Sequence, residues 1–458
     1  MLTIIPLSNV KILISMKKEG KRKRLLDVTV PVLCLSVAVS GCEAFRFGQP
    51  SETSETSIAT TSIPITEETS ESIPEETIDH AALRVEICSL LIEEIFNKLT
   101  SRAMPAGAYA DYASELADGT SDIFDIVPLI IDSPEFEEAD LTDAEFAVGC
   151  YSAFVGKTAS DSEIRFVTGL LEDGMSRGEV AQMFMKCEHF AETCSGYGFL
   201  PEYDMSVTAF NDDCYGYVNE LTCGEHLTPV GDFIPGPEAL DALYEAMDGL
   251  DEQNRSFGFM MIDLETGYGV AYNIDQTYYT ASSIKGPFAA SFACQDPDSA
   301  LNWESTIINM LVNSDNDAYT ALNNTYRRVF IQQWCEEIGI DPSPFVYKYP
   351  HITTRQMTSL WLRSYEFFES GEFGEQAGSW FENPAYSLIH SELGEQYVTR
   401  SKAGWLIDDD PSHTTTVDAG IVYADNGAYV VVIMSRVPRD IEPLRPLMQA
   451  IEITHLEI

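Results

Sequence analysis

The stretch that decides the fold of the C-terminal half is Ala281-Ser282-Ser283-Ile284-Lys285-Gly286-Pro287-Phe288. Its serine and lysine stand three positions apart, and residues at that spacing lie on one face of a helical turn. The sequence therefore predicts that the Lys285 amine lies beside the Ser282 hydroxyl. A lysine that is partly removed from water can act as the base for an otherwise weak nucleophile. Taken alone, the pattern is short enough to arise by chance.

Two further motifs follow in a fixed order. Ser314-Asp315-Asn316 comes after the apolar run 307–312, and Lys402-Ala403-Gly404-Trp405 lies on a segment with strand character. The elements predicted around the three motifs are a helix at 239–250, hairpin strands at 256–264 and 268–273, strands at 417–423 and 428–434, and a closing helix at 443–451. The ordered set SxxK, SDN and KxG is the signature of class A β-lactamases and penicillin-binding proteins. Residues 239–458 resemble that family.

The resemblance implies a fold and a reaction. The fold is α+β and β-lactamase/transpeptidase-like, with an antiparallel sheet flanked by helices and a helical lobe. Ser282 is implied as the acylated nucleophile and Lys285 as its general base. Ser314 is implied to relay a proton to the leaving nitrogen. The expected substrates are β-lactams or D-Ala-D-Ala-like peptides of the peptidoglycan type.

The same resemblance implies a set of substrate-binding residues. Asn316 is expected to bind the side-chain amide of the substrate. Lys402 is expected to place positive charge near Ser314 and the substrate carboxylate. The backbone N–H groups of Ser282 and Trp405 are expected to form the oxyanion hole, and Gly404 belongs to the same strand. Arg400 is equally compatible with carboxylate binding and with a solvated side chain.

One departure from the family pattern bears on the second half of the reaction. Class A β-lactamases usually carry a Glu on an omega loop that activates the deacylating water, but this sequence has no Glu between Glu337 and Glu366. Thr353-Thr354 and Met357 match the residues that follow that loop, which makes the register clear. Without a positioned base, hydrolysis of the acyl-enzyme is expected to be slow. This favours a D,D-peptidase-like enzyme, although the sequence does not exclude a β-lactamase.

A function from a different class also fits the sequence. In it, the protein is a surface-anchored, non-catalytic peptidoglycan-binding or adhesion protein that uses a lactamase-like fold for recognition. Five retained motif residues argue against complete decay of the site: Ser282, Lys285, Ser314, Asn316 and Lys402. The sequence has no CxxC, HExxH or P-loop, so neither a metal nor another cofactor is expected.

The N-terminus has the composition of an export signal. A basic run from Lys17 to Arg24 precedes a mostly apolar stretch that ends in Ser40-Gly41-Cys42. This ending resembles a bacterial lipobox, which implies that residues 1–42 are a lipoprotein signal peptide with lipidation at Cys42. We therefore expect an exported membrane lipoprotein on the extracytoplasmic side. Residues 43–79 are rich in Ser, Thr and Glu, which predicts a disordered linker.

Between the linker and the motifs, residues 80–200 have helical periodicity and an internal repeat. One copy runs from Phe96 to Phe136 and the other from Phe154 to Phe190. Each contains a helix that ends at Asp-Gly, followed by a serine predicted as a helix cap, Ser121 or Ser176. The segment resembles a helical domain of unknown function from secreted bacterial proteins. We predict a separate all-α domain with an unknown protein partner, and a connector at residues 201–238.

The charge balance excludes one class of partner. Lys and Arg total 27 against 73 Asp and Glu, for a net charge of −46. Binding to nucleic acid depends on basic side chains that neutralise phosphates, so no nucleic acid partner is expected. Eight cysteines follow Cys42, and their spacing leaves every disulfide pairing open.

Overall fold

A computed structural model describes residues 79–199 and 213–458, all within one compact unit spanning Glu76–Ile458. The predicted signal peptide, its Cys42 and the predicted linker up to residue 78 lie outside the described residues. In the two described ranges, no helix combines the length and the apolar character needed to cross a membrane.

The regular elements of residues 79–199 are all helices. Their α-helices are α1 His80–Thr100, α2 Ala110–Asp118, α3 Ile123–Ile131, α4 Pro134–Glu137, α5 Asp143–Cys150, α6 Asp161–Glu172, α7 Arg177–Phe184 and α8 Glu188–Gly196. A π-helical turn, Tyr151–Val155, extends α5. Helices α5, α6 and α7 each begin with a capping box, in which a Ser or Thr and a Glu three residues later satisfy each other's backbone N–H groups.

The structure confirms one of the two predicted helix caps. Ser176 caps α7, and Glu179 completes its capping box. Ser121 does not cap α3, because Asp122 takes that position and accepts from the Asp125 N–H at 2.9 Å. Ser and Asp are about equally good caps. The choice therefore follows from where the helix must begin to bury Ile123.

The internal repeat has a packing counterpart. In the first copy, the ring of Phe96 contacts that of Phe136 edge to face, with centroids 6.1 Å apart. In the second copy, Phe154 contacts Phe190 in the same manner at 5.2 Å. Edge-to-face pairs are a favoured aromatic arrangement. Each copy of the repeat therefore contains one edge-to-face pair formed by its first and last phenylalanines.

The helical domain packs on the C-terminal domain. Its core is continuous with the face of the sheet covered by the helix at Pro237–Glu252. On the outside of this contact, Arg165 binds Asp248 through two hydrogen bonds of 2.8 Å, and its guanidinium lies 4.0 Å from the centroid of the Tyr244 ring. The exposed ion pair adds little to stability by itself, and the shared apolar core dominates.

The segment predicted as a connector contributes secondary structure. It contains α9, Asp213–Glu220, and the strand β1, Thr228–Val230, which pairs antiparallel with Gly269–Ala271. Pro229 lies in this strand. A proline cannot donate to a strand ladder and is tolerated at the edge of a sheet, which is where β1 lies.

The predicted antiparallel sheet is confirmed. The strands after β1 are β2 Phe257–Asp263, β3 Gly269–Tyr272, β4 Thr277–Tyr279, β5 His351–Thr353, β6 Val398–Ser401, β7 Gly404–Leu406, β8 Thr415–Ala424 and β9 Gly427–Ser435. Their order in the main sheet is β1-β3-β2-β9-β8-β6, with β7 also paired to β8. Strands β4 and β5 form a separate two-stranded sheet.

Both faces of the central strand β9 are buried. Val430, Val432 and Met434 belong to one core, whereas Val431 and Ile433 belong to the other. Successive side chains of a strand point to opposite faces, so a strand between two helical layers is apolar at every position. Residues 430–434 are all apolar because both faces of β9 are buried between helical layers.

Helices cover both faces of the sheet. The C-terminal helices are α10 Pro237–Glu252, α11 Lys285–Gln295, α12 Pro297–Asn302, α13 Glu304–Val312, α14 Asn316–Tyr326, α15 Val329–Glu337, α16 Thr354–Phe368, α17 Glu372–Ser379, α18 Leu388–Leu393 and α19 Arg445–His455. Helices α10 and α19 pack on one face together with the helical domain, and α11 and α16 pack on the other. This second layer carries the SxxK motif into the interior.

Candidate active site

Ser282 lies in a 3-10 turn, Ala281–Ile284, that leads directly into α11. Its neighbour Ser283 is fully buried and donates its hydroxyl hydrogen to the Thr280 carbonyl at 2.7 Å. Ser282 is only half-buried, and its hydroxyl has no hydrogen-bond partner within the described parts of the chain. Of the two adjacent serines, Ser282 is the one with a free hydroxyl.

Lys285 joins the first motif to the second. Its side chain is buried, and its Nζ donates to the Ser314 carbonyl at 2.7 Å and to Asn316 Oδ1 at 2.8 Å. Burial, with the charges of Lys402 and Lys348 nearby, lowers the pKa of Lys285 to about 7. The amine is therefore about half neutral at physiological pH, which a base requires.

The backbone of the second motif is held in an unusual conformation. Ser314 has φ = 55°, in the left-handed region that a non-glycine residue rarely occupies. The next residue, Asp315, caps α14 by accepting from the Ala318 N–H at 2.7 Å. The cap fixes the start of the helix. Asn316 is thereby held in the first turn, where its side chain accepts from Lys285.

Lys402 brings the third motif to the same place. It is 1% exposed, and its Nζ donates to Ser314 Oγ at 3.2 Å and to the Ala403 carbonyl at 2.7 Å. Burial lowers the pKa of Lys402 to about 8, and the Asp418 carboxylate opposes this shift. Two lysines thus donate to Ser314: Lys285 to its carbonyl and Lys402 to its hydroxyl oxygen.

Two glycines allow the motifs to approach one another. A Cβ on Gly404 would lie 2.4 Å from the Ser283 nitrogen and 2.7 Å from the Ser282 nitrogen. A Cβ on Gly286 would lie 3.0 Å from the Cβ of Lys402. Strand β7 therefore runs against the turn that carries Ser282, with Trp405 as its next residue. The predicted oxyanion hole requires the N–H groups of these two segments to point at one position, and its formation stays a prediction.

A buried polar group behind Lys402 was not predicted from the sequence. Asp418 lies inside β8 and accepts from Ser387 Oγ at 2.7 Å and from the Ile389 N–H at 3.1 Å. Ser387 Oγ is also 2.8 Å from Ser401 Oγ, the residue before Lys402. Burial raises the pKa of Asp418 to about 6 despite these bonds. The single charged residue of strand β8 was the available signal, because an unpaired buried carboxylate is costly.

Arg400 was considered either as a carboxylate-binding residue or as a solvated side chain, and the structure shows a third arrangement. It is 8% exposed, so it is not solvated. Its guanidinium donates to the Tyr423 hydroxyl at 2.9 Å and to Glu382 at 3.4 Å, and it lies over the Phe368 ring. An arginine whose donors are engaged by Tyr423 and Glu382 is a packing residue on this side of β6.

The loop that replaces the family's omega loop carries one carboxylate, and a neighbouring serine engages it. Asp341 is the single acidic residue between Glu337 and Glu366. Its carboxylate accepts from the Ser343 N–H at 2.9 Å and from the Ser343 hydroxyl. It therefore stabilises the 3-10 turn Ser343–Val346. Further along the same loop, Lys348 lies beside α14 and donates to Thr320 Oγ1 at 2.7 Å.

Metal-binding and thiol chemistry receive no geometric support in the described ranges. No cluster of three or more His, Cys, Asp or Glu side chains there could hold a metal ion. All eight cysteines after Cys42 are free thiols. Burial raises the pKa of Cys335 to about 12 and that of Cys187 to about 11. Neither thiol would be a thiolate at neutral pH.

The C-terminal half of the chain is similar to known proteins. A family model described as "Beta-lactamase enzyme family" matches residues 290–452, a range that begins just after Ser282 and Lys285. The described fold and this match define a β-lactamase-like C-terminal domain, which is serine hydrolase-like at the level of the family. A comparison with curated proteins found no match.

Solved structures with a similar C-terminal domain include a β-lactamase from Chitinophaga pinensis DSM 2588, at 14% identity, a TM-score of 0.39, and coverage of 47% of this chain and 98% of that one. PBP-A has 17% identity and a TM-score of 0.38, and covers 47% of this chain and 95% of its own. Carbapenemase VCC-1 from Vibrio cholerae N14-02106 has 15% identity and a TM-score of 0.38, with 46% and 99% covered. Each match spans about half of this chain.

Proposed function

We propose that the protein is an exported serine hydrolase that forms an acyl-enzyme at Ser282 with β-lactams or D-Ala-D-Ala-like peptides. The observation that carries this proposal is the hydrogen-bond network around Ser314. Lys285 donates to its carbonyl, Lys402 donates to its hydroxyl, and Asn316 accepts from Lys285. Three motifs from distant parts of the chain meet at one residue, next to a serine with a free hydroxyl.

In the proposed acylation, the Ser282 oxygen attacks the carbonyl carbon of the substrate while its proton passes to the neutral Lys285 amine. The N–H groups of Ser282 and Trp405 stabilise the resulting oxyanion, and one such donor is typically worth about 3 kcal/mol in the transition state. The C–N bond then breaks. The leaving nitrogen takes the hydroxyl proton of Ser314, whose oxygen is reprotonated through the neighbouring lysines.

Substrate binding in this scheme rests on two side chains. Lys402 carries a buried positive charge beside the Ser314 hydroxyl, which suits the carboxylate of the substrate. Asn316 is already bonded to Lys285 and Tyr349 through its Oδ1, and its amide N–H₂ has no partner among the described residues, so it can donate to a substrate carbonyl. We infer that the acyl side of the substrate lies along the start of α14.

Deacylation is the step that separates a β-lactamase from a D,D-peptidase-like enzyme. Removing a general base typically slows a step about 10²- to 10⁴-fold, and Asp341 is committed to Ser343. We therefore expect benzylpenicillin to leave a persistent adduct on the full-length protein, followed over time by intact-protein mass spectrometry. Rapid loss of the adduct would assign a β-lactamase. Absence of both an adduct and penicillin hydrolysis would contradict the proposed function.

We also propose that the protein reaches the outer side of the cell membrane and is anchored there through a lipid on Cys42. The support is the basic run, the apolar stretch and the Ser40-Gly41-Cys42 ending, followed by a Ser-, Thr- and Glu-rich linker. A Cys42→Ser variant is expected to lose incorporation of labelled fatty acid and to leave the membrane fraction. Equal labelling of both proteins would contradict the anchor.

A further inference from the structure

Lys348 forms no salt bridge within the described part of this acidic protein. No carboxylate lies within 4.0 Å of its Nζ in the described part of the chain, and its side-chain hydrogen bond goes to the neutral Thr320 hydroxyl at 2.7 Å. The amine is half-buried over two aromatic rings, 5.0 Å from the centroid of Tyr319 and 5.3 Å from that of Tyr349. Aromatic faces and one hydroxyl do not neutralise an ammonium, so an anion is still favoured beside it.

Arg328 is a second cation near Lys348, and it too forms no salt bridge with the described residues. Burial lowers the pKa of Lys348, the charge of Arg328 adds to this effect, and the more distant Asp317 carboxylate opposes it. Arg328 donates to Asn323 Oδ1 at 2.8 Å, while its buried Nε has no partner among the described residues. The Asp317 charge partly offsets the repulsion between the two cations, and a bound anion would reduce that repulsion further.

The place of Lys348 in the site is set by α14. Asn316 and Thr320 are four residues apart and therefore lie on the same face of the helix. Thr320 Oγ1 donates to the Asn316 carbonyl at 2.6 Å and accepts from Lys348. The Tyr349 hydroxyl reaches Asn316 Oδ1 at 3.3 Å. Lys348 therefore lies about one helical turn along α14 from Asn316, the residue expected to hold the side-chain amide of the substrate.

Lys348 and Lys285 also lie near the same ring. Their Nζ atoms are 5.0 Å and 5.6 Å from the centroid of Tyr319. The Tyr319 hydroxyl donates to the Lys348 carbonyl at 2.9 Å, which fixes the loop on α14. The backbone of Lys348 is thus bonded to a buried tyrosine whose ring also lies near the Lys285 amine.

From these contacts we infer that Lys348, with Thr320, forms a binding site for a carboxylate on the acyl side of the substrate, next to the amide held by Asn316. The inference rests on the proposed function and names its substrate class: acyl donors that carry a second carboxylate besides the one expected at Lys402. A charged hydrogen bond of this kind at a half-buried site is expected to favour such a donor about tenfold.

The test uses two penicillins that differ by one carboxylate, benzylpenicillin and α-carboxybenzylpenicillin, and measures their second-order acylation rate constants with the full-length protein. Lys348→Met is expected to lower the ratio of the α-carboxybenzyl rate to the benzyl rate about tenfold. Lys348→Arg should retain the ratio. Lys98→Met removes a half-buried lysine that is paired with Glu94 in the helical domain, and should leave the ratio unchanged.

The ratio separates this site from a general effect on catalysis. Loss of the Lys348 charge also changes the pKa of Lys285. That change affects acylation by both penicillins equally, so it cancels in the ratio. An equal fall of both rates, or an unchanged ratio, would overturn the carboxylate site while acylation itself stands. If neither penicillin acylates the wild-type protein, the proposed function fails and the carboxylate site fails with it.

Discussion

Replacing Ser282 with alanine is expected to abolish covalent labelling by benzylpenicillin. The hydroxyl oxygen is the atom that forms the ester in the proposed mechanism, and no neighbouring group can replace it. Ser283 has its hydroxyl bonded to the Thr280 carbonyl inside the protein. Intact-protein mass spectrometry after incubation with penicillin should show the added mass on the wild type and none on Ser282→Ala.

Ser283→Ala is the matched control for this result. It removes a buried hydroxyl one residue away and costs about 1 kcal/mol of stability through a lost hydrogen bond. The adduct should still form on this variant. Labelling of Ser282→Ala, or loss of labelling in Ser283→Ala with the fold retained, would assign the nucleophile to a different residue.

Replacing Lys285 with methionine is expected to slow acylation about 10²- to 10⁴-fold. Methionine fills a similar volume without an amine, so the hydroxyl of Ser282 loses its base and Asn316 loses the donor that orients it. Removal of a general base has effects of this size. The rate constant for labelling by a fluorescent penicillin measures the effect. A loss of less than tenfold would contradict the role of base.

The two lysines also predict the pH dependence of acylation. The pKa of Lys285 is lowered to about 7, so the neutral base is gained as pH rises through 7. The pKa of Lys402 is lowered to about 8, so the charge that binds the substrate carboxylate is lost as pH rises through 8. The rate should therefore form a bell with its maximum between these two values. Because the lysines interact, the two apparent pKa values belong to the pair.

Asp418→Asn distinguishes the two limbs of this profile. The Asp418 carboxylate raises the pKa of Lys402, so its removal should move the alkaline limb to lower pH. The acidic limb reports Lys285, whose pKa is governed by burial and by Lys402 and Lys348, and it should move much less. A profile without an acidic limb would contradict a lysine base.

Much of the fold was predictable from local patterns. Residues 257–263 and 427–435 are strands in the predicted places, because alternating or continuous apolar runs bounded by turn residues favour strands. The helix at Pro237–Glu252 follows from apolar residues at helical spacing. The strand β1 was missed because three residues that include a proline carry no strand pattern, and only the edge of a sheet accommodates them.

The candidate site was predictable where residues belong to ordered motifs. Ser282, Lys285, Ser314, Asn316, Lys402, Gly404 and Trp405 were all identified in this way, and their roles stay predictions. Asp418 and Lys348 belong to no motif. The importance of Asp418 comes from full burial, and that of Lys348 comes from the absence of an acidic partner within 4.0 Å in the described structure. Neither property has a pattern along the chain.

The sequence by itself determined the order of the motifs, the antiparallel α+β class, the internal helical repeat and the absence of a Glu in the short loop before Thr353. These depend on spacing between near neighbours, which backbone geometry converts directly into local structure. Only the tertiary structure decided that the Lys285 amine bonds to Asn316 and Ser314, and that Lys348 adjoins them. A hydrogen bond depends on the separation of two atoms in space. Residues 285, 316, 348 and 402 come within reach of one another only when the sheet and its two helical layers have packed.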